Sequence, residues 1–128
     1  MPKKFIIIII ILILIVVGLI PMITNYVSDF AFDGSGNSSS EAILKRVIQG
    51  KTTLFMFAGA RKLSEKAIIY FPESSSFDYY LKNAAFCAER DGENEVAIYW
   101  YERFLERFPR HKWSPKIKNS LNQLKELN

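Results

Sequence analysis

The spacing of hydrophobic and polar positions changes near residue 24 of the chain. Residues 5–23, FIIIIIILILIVVGLIPMI, are continuously apolar, whereas the residues after Thr24 mix polar, aromatic and charged side chains. In the second part, apolar residues recur at intervals of three and four, as they do along one face of an α-helix. The pattern predicts an all-α chain with one apolar N-terminal helix followed by several short amphipathic helices.

The apolar segment has the length of a transmembrane helix. At a rise of about 1.5 Å per residue it extends about 28 Å, close to the hydrocarbon thickness of a bilayer. A cleaved signal peptide is the alternative, but its apolar region is usually about 7 to 15 residues long and ends in a small-x-small site. The sequence that follows, TNYVSDFAF, offers no such site. We therefore expect residues 1–27 to form an uncleaved, single-pass membrane anchor.

The charges that flank this segment predict its orientation. Lys3 and Lys4 precede it, and Asp29 and Asp33 follow it. Because positive residues are enriched on the cytoplasmic side, the N-terminus is expected in the cytoplasm. The anchor would then lie in the inner membrane of a bacterial cell, with the C-terminal domain in the periplasm.

Five short helices are expected after the anchor. Residues 28–40 include the run DGSGNSSS, a composition typical of a flexible linker, and residues 41–128 form the predicted helical domain. Its expected helices run from a capping box at Ser38 and Glu41 to Gln49, from about Thr53 to Tyr70, from about Phe77 to Arg90, from Glu93 to the residue before Pro109, and from Ser114 onward. Helical spacing places Phe55 and Leu127 among the buried residues.

Two segments of this domain repeat each other. AIYWYERFLERFP at 97–109 echoes ARKLSEKAIIYFP at 60–72, with a spacing of 37 residues between Pro72 and Pro109. The matched pairs are Ala60 with Ala97, Ser64 with Tyr101, Ala67 with Phe104, and Phe71 with Phe108. A small residue, further positions four and then three residues on, and an aromatic-proline ending are typical of a helix that packs within a repeated helical pair.

This pattern resembles the second helix of a tetratricopeptide (TPR) repeat, whose usual period is about 34 residues. The resemblance covers residues 41–128 and implies an αα-hairpin, superhelical domain of two repeats plus a capping helix. The segment AIYWYERFLERFPRHKWSP is similar to repeats in envelope proteins, such as the TPR lipoprotein of the outer-membrane β-barrel assembly machinery and the periplasmic TPR protein of the Tol–Pal system. Unlike a lipoprotein, the chain has no lipid-accepting Cys after its apolar segment.

The TPR resemblance also implies where a partner would bind. In that family the first helices of successive repeats line a concave groove that holds peptides. The residues that would line it here are Lys45, Gln49, Tyr79, Lys82, Asn83, Phe86, Trp113 and Lys116. One lysine from each first helix, Lys45, Lys82 and Lys116, would suit a peptide carboxylate, as in TPR clamps for acidic C-termini.

No catalytic or metal-binding pattern accompanies these features. Cys87 is the single cysteine and His111 the single histidine, and neither has companions at a ligand or catalytic spacing. A formal net charge of +4 is too mild to indicate nucleic-acid binding. We therefore expect a non-enzymatic scaffold for protein–protein interaction, with no cofactor or metal, in a cell-envelope complex. A structural homo-oligomer joined through open repeat ends, and an accessory subunit of a membrane enzyme or transport complex, are the alternatives.

Overall fold

The computed structural model describes residues 2–33 and 38–127. Within these two ranges the secondary structure is entirely helical, without a strand, so the all-α prediction is confirmed. The helices are α1 (Lys3–Asp33), α2 (Ser38–Thr53), α3 (Phe57–Tyr70), α4 (Phe77–Arg90), α5 (Asn94–Arg107) and α6 (Ser114–Leu127). The chain forms two compact units, Met1–Leu44 and Lys45–Asn128, and we call the second the helical domain.

The first unit contains the apolar helix α1. Its segment Lys3–Val27 has a mean hydropathy of 3.6 and is long and apolar enough to cross a membrane. Helix α1 continues through Pro21 and ends at Asp33, beyond the anchor boundary expected at residue 27. Residues 38–40 of the expected linker begin α2, and residues 34–37 lie outside the described residues.

The helical domain repeats its boundaries with the 37-residue spacing found in the sequence. Helix α5 begins and ends 37 residues after α3, and α6 begins and ends 37 residues after α4. The backbone hydrogen bonds that join the helices repeat as well. Phe71 N–H donates to the Ala67 carbonyl as Phe108 N–H does to that of Phe104. The internal repeat is therefore a property of the backbone as well as of the sequence.

The turn of the first helical pair lies later in the chain than the sequence pattern predicted. Helix α2 passes through Gly50, which was expected to end it, and stops at Thr53. Leu54–Met56 then reverse the chain, so the helix expected from Thr53 begins at Phe57. The chain turns here because Phe55 adopts a left-handed conformation, with φ of 60°. An apolar run across the turn has no polar residue to mark it, and Phe55 is 79% exposed rather than buried.

Helices α3 to α6 pack consecutively, and one buried cluster lies between α4, α5 and α6. Helix α4 packs against both α3 and α5, and α5 packs against α6. The buried cluster comprises Leu81, Ala85, Ala88, Ala97, Tyr101, Phe104, Ile117, Leu121 and Leu124. Leu127, expected in this core, is 76% exposed because it is the last residue of α6. Alanines on α4 allow the close helix crossings that the repeat requires.

Candidate binding groove

A groove runs along the helical domain and has a volume of about 970 Å³. Most of its lining comes from the end of α2, from α4 and from the start of α6. The lining residues are Gln49, Thr52, Thr53, Phe55, Phe57, Tyr79, Lys82, Asn83, Phe86, Glu89, Arg90, Tyr101, Trp113, Lys116, Ile117 and Ser120. A volume near the top of the range for ligand sites suits a segment of several residues.

The structure brings together most of the residues that the sequence assigned to a partner groove. The lining contains Gln49, Tyr79, Lys82, Asn83, Phe86, Trp113 and Lys116. Lys45 is the exception and lies beside the groove. Its Nζ donates a hydrogen bond of 3.2 Å to Ser76 Oγ and lies 5.0 Å from the centre of the Tyr79 ring.

Two aromatic residues of the lining were missed from the sequence. Phe55 lies within the turn that was expected to be helical, and Phe57 is the first residue of α3 after it. The signal that identifies them is the repeat itself, since Phe55 stands 37 residues before Gly92 and therefore occupies a turn position. A turn between α2 and α3, the two helices of the first pair, places its side chains at the edge of the groove rather than in the core.

Three aromatic rings form one wall of the groove, and we call Phe55, Phe57 and Phe86 the aromatic row. The Phe55 and Phe57 ring centres are 5.9 Å apart and those of Phe57 and Phe86 are 6.2 Å apart, both in edge-to-face contact. The Arg90 guanidinium lies 5.2 Å from the centre of the Phe86 ring. Edge-to-face packing fixes the rings relative to each other, and the row ends at the exposed ring of Phe55.

Three lysines supply positive charge near Trp113, and we call Lys82, Lys112 and Lys116 the basic group. Lys82 lies on α4, one helical turn before Phe86, whereas Lys112 precedes α6 and Lys116 lies in its first turn. The Lys82 Nζ lies 4.2 Å from the centre of the Trp113 ring, and that of Lys112 lies 5.4 Å from it. Burial lowers the pKa of Lys82, and the charges of Lys116 and Lys112 lower this pKa further, against an opposing effect of Asp78. The group concentrates positive charge beside an aromatic surface.

A histidine holds Trp113 in this arrangement. The backbone N–H of Trp113 donates a 3.1 Å hydrogen bond to His111 Nδ1, and His111 Nε2 lies 2.8 Å from Asp78 Oδ2. Because Nδ1 accepts a hydrogen bond, Nε2 carries a proton and donates a hydrogen bond to Asp78. His111 is half-buried, and its ring packs edge-on against Phe104.

The floor of the groove contains polar groups that already have partners. The Asn83 side chain is 4% exposed, and its Nδ2 donates to Ser64 Oγ at 3.0 Å and more weakly to Thr52 Oγ1 at 3.5 Å. One repeat later, the Tyr101 hydroxyl donates to Glu89 Oε2 at 2.7 Å. Asn83 therefore stabilises the contact between helices, and the acidic side chain of Glu89 is engaged by the domain itself.

The remaining reactive side chain is enclosed. Cys87 is fully buried, and burial raises the pKa of its thiol. Among residues 2–33 and 38–127, no three His, Cys, Asp or Glu side chains are grouped so that they would hold a metal ion.

The lining of the groove offers aromatic surface, cationic groups and hydrogen-bond donors, which suit the binding of a polymer segment.

Comparisons with known proteins add no family to this picture. No protein-family model, no curated protein and no solved structure matches the chain.

Proposed function

We propose that the chain is a membrane-anchored helical-repeat module that binds a segment of a partner protein in a bacterial cell-envelope complex. The observation that carries this proposal is the groove, because successive helices on a fixed 37-residue spacing present aromatic and cationic side chains along one surface. Concave surfaces of this kind, built on rigid elements, are how helical repeats hold partner segments. The proposed role is binding rather than catalysis.

The repeat supports a TPR-like arrangement for this module. Two helical pairs, α2 with α3 and α4 with α5, are followed by α6 as the capping helix. The groove lining is drawn mainly from the first helix of each pair and from α6, as the TPR resemblance implied. A superhelical arrangement would present that surface as the inner face of the array.

Helix α1 supports the proposed location. Its segment Lys3–Val27 has the length and composition of a membrane span. Lys3 and Lys4 stand at its beginning, which favours a cytoplasmic N-terminus and a periplasmic helical domain. The groove would then face partners in the envelope.

Site-specific photocrosslinking in the membranes of the producing cell tests the binding role. The full chain would carry p-benzoylphenylalanine in place of Trp113, within the groove, or in place of Lys118, which is exposed and outside the groove. We expect a covalent adduct with a second, identifiable protein from position 113 and a much weaker one from position 118.

Two outcomes would contradict the proposal. Equal adducts from both positions would show that contact is not specific to the groove, and no adduct from position 113 would leave the groove without a protein partner. An adduct of twice the mass of the chain would instead support the homo-oligomer, and mass spectrometry of any other adduct would show whether the partner belongs to a membrane enzyme or transport complex.

A further inference from the structure

The two turns within the helical pairs share their hydrogen bonds but differ at the residue that reverses the chain. Met56 N–H donates to the Lys51 carbonyl, and the residues 37 positions later repeat this bond. This is the Schellman ending of a helix, which requires a left-handed residue and usually employs glycine. Gly92 meets that need in the second pair, with φ of 80°, whereas Phe55 has φ of 60° in the first. Backbone geometry alone would therefore favour glycine at position 55.

Two large apolar side chains are exposed at the first turn. Leu54 is 51% exposed and Phe55 is 79% exposed, so burial within the domain explains neither of them. The equivalent residues of the second pair are Asp91 and Gly92, which suit a turn in water. Because the same backbone is formed with those two residues, the apolar residues of the first turn are not required by the fold.

The exposed side of α3 continues this apolar surface and adds positive charge. From residue 58 to residue 69 its exposed positions recur at intervals of four and three, and the exposed Tyr70 follows. Within α3, every residue of which the structure describes, no exposed side chain is acidic. The half-buried Glu65 pairs with Arg61 and accepts a hydrogen bond of 3.0 Å from the Trp100 indole.

The turn and the helix together form one surface. Its longer exposed side chains are Leu54, Phe55, Lys62, Lys66, Ile69 and Tyr70, and we call these six residues the α3 face. Apart from Phe55, none of them lines the groove. The face has apolar side chains at both ends and two lysines between them.

The second repeat shows that this surface is specific to the first pair. Helices α3 and α5 have equivalent bounds, 37 residues apart. Equivalent positions pair Leu54 with Asp91, Ile69 with Glu106, and Tyr70 with Arg107. Residues 38–70 contain six Lys or Arg and two Asp or Glu residues, whereas residues 77–107 contain four and seven. One framework therefore carries an apolar and basic surface in its first pair and an acidic one in its second.

A bilayer surface with anionic headgroups is complementary to the α3 face. Apolar and aromatic side chains enter the boundary between headgroups and acyl chains, and lysines between them lay their stems on that boundary while the ammonium groups meet phosphates. Helix α1 has the length and composition of a membrane span and ends a few residues before α2. A domain tethered in this way stays at high local concentration near lipid, so a small contact surface is sufficient.

We infer that the α3 face lies on the surface of an anionic bilayer, with its apolar side chains in the interface and with Lys62 and Lys66 against lipid phosphates. This inference rests on the membrane location in the proposed function and is independent of what the groove binds. The helical domain would then meet the membrane through α3 as well as through its anchor, which restrains the domain relative to the bilayer.

Fluorescent labels at equivalent positions of the two repeats test this inference. The full chain with Cys87→Ala receives one new cysteine, by Leu54→Cys, Ile69→Cys, Asp91→Cys or Glu106→Cys, and a nitrobenzoxadiazole dye is attached to it. Each chain is placed in nanodiscs of phosphatidylcholine and phosphatidylglycerol that include a phospholipid with a nitroxide at the top of its acyl chain. We expect the nitroxide to quench the dye at least about threefold more at positions 54 and 69 than at 91 and 106, because the first two would lie in the interface.

Matched charge variants test the part played by the lysines. Lys62→Gln/Lys66→Gln is expected to reduce the quenching at position 54 to about half or less, because the attraction to anionic headgroups is lost. Arg103→Gln/Arg107→Gln removes the same charge from the exposed side of α5 and should leave that quenching unchanged. Quenching should also decrease in nanodiscs of phosphatidylcholine alone and at high ionic strength, since salt screens exposed charges.

A label introduced by Val16→Cys, within α1, distinguishes failure of the inference from failure of the proposed anchor. Quenching at position 16 by a nitroxide deep in the acyl chains, without quenching at 54 and 69, would overturn the inference and leave the anchor standing. No quenching at position 16 would contradict both. Equal quenching at positions 54, 69, 91 and 106, or no effect of Lys62→Gln/Lys66→Gln, would also overturn the inference.

Photocrosslinking in the membranes of the producing cell identifies what covers the α3 face there. With p-benzoylphenylalanine in place of Tyr70, we expect adducts with phospholipid. An adduct with a second protein, or with another copy of the chain, in place of lipid would overturn the assignment of this face to the bilayer.

Discussion

At the scale of single residues, Gly92 suits the left-handed backbone conformation of its turn, and Phe55 does not. Both lie in the left-handed region, and both end a helix with the same hydrogen bonds. A Cβ added at Gly92 would meet nothing within 4 Å, so its backbone conformation alone explains the glycine. At position 55 the backbone demand is the same and the residue is different, which isolates the contribution of the side chain.

Opposite substitutions at these two positions should have opposite effects. Gly92→Ala is expected to lower the free energy of unfolding by about 1–2 kcal/mol, because alanine is strained in the left-handed region. Phe55→Gly should leave that free energy unchanged or raise it, since relief of strain offsets the small packing energy of an exposed ring. Denaturation by urea, followed through the fluorescence of Trp100 and Trp113, measures both. A decrease of similar size in the two variants would contradict this account of Phe55.

The thiol of Cys87 should be protected until the domain opens. Burial raises its pKa, so at pH 8 a smaller fraction is thiolate than in a free cysteine, whose pKa is about 8.5. Raising the pH through that value should therefore accelerate alkylation less than it does for an exposed thiol. We expect iodoacetamide to modify native Cys87 roughly a hundredfold more slowly than a cysteine introduced by Asn122→Cys in a Cys87→Ala chain. Mass spectrometry measures both rates, and equal rates would show that the side chain is accessible.

Packing between helices shows how the two repeats reach the same geometry with different side chains. In the first pair, Lys51 is 3% exposed and its Nζ lies 3.3 Å from where a Cβ on Gly59 would be. One repeat later the same positions hold Ala88 and Val96, and Val96 packs against the cluster that includes Ala88. The first pair therefore has a long side chain, Lys51, beside a glycine. The second pair has the small Ala88 beside the larger Val96.

This exchange predicts coupling between positions 51 and 59. Lys51→Ala alone should leave unfilled space beside Gly59, and Gly59→Val alone should collide with Lys51, each at a loss of about 1–3 kcal/mol in the free energy of unfolding. Together they reproduce the packing of the second repeat, so the double variant should lose at least about 1 kcal/mol less than the sum of the two. A double-mutant cycle by urea denaturation checks this. Additive losses would show that the two side chains do not share one contact.

Elements with strong terminal signals were predictable from the sequence, and the weakly marked turn was not. Helix α4 was predicted as Phe77–Arg90 and is observed with those bounds, because serines precede it and Asp91-Gly92 ends it. The turn at Phe55 was missed because three apolar residues there resemble a continuing helix. Helical periodicity shows which face of α6 is apolar but not how far the neighbouring helix extends along it. For this reason Leu127, at the end of α6, was wrongly assigned to the core.

The residues of the groove were expected from the TPR resemblance, whereas the contacts that hold them in place were not. The resemblance implied that first helices share a face, and Tyr79, Lys82 and Trp113 do lie together in the lining. The role of Asn83 in the interface depends on its bond to Ser64, which is a contact between helices that no local pattern encodes. The support of Trp113 by His111 required the geometry of the loop as well.

The whole molecule combines an apolar helix with a domain whose surface is rich in charged residues. No residue in the apolar window of α1 is buried. An exposed apolar surface of that length is unfavourable in water and favourable in a bilayer. At this scale the proposed anchor therefore determines where the groove can meet a partner.

Charge reversal at the N-terminus should change the orientation of the full chain. In the unaltered chain we expect the helical domain to be digested when protease is added from the periplasmic side. Lys3→Glu/Lys4→Glu removes the positive charges that favour a cytoplasmic N-terminus, so a substantial protected fraction is expected. Lys116→Glu/Lys118→Glu makes the same change of charge far from α1 in the sequence and should leave digestion unaffected. Complete digestion of the Lys3→Glu/Lys4→Glu chain would contradict the role of these two lysines, and protection of the unaltered chain would contradict the proposed orientation.

Because each connection between helices recurs after 37 residues, further helical pairs could be added to the domain through the same connections. A second copy of residues 77–113 inserted after Trp113 would begin and end at junctions that the chain already forms. Such a chain would gain one helical pair and a longer cleft without any newly designed connection. The short array seen in this protein is thus one member of a series that gene duplication alone can extend.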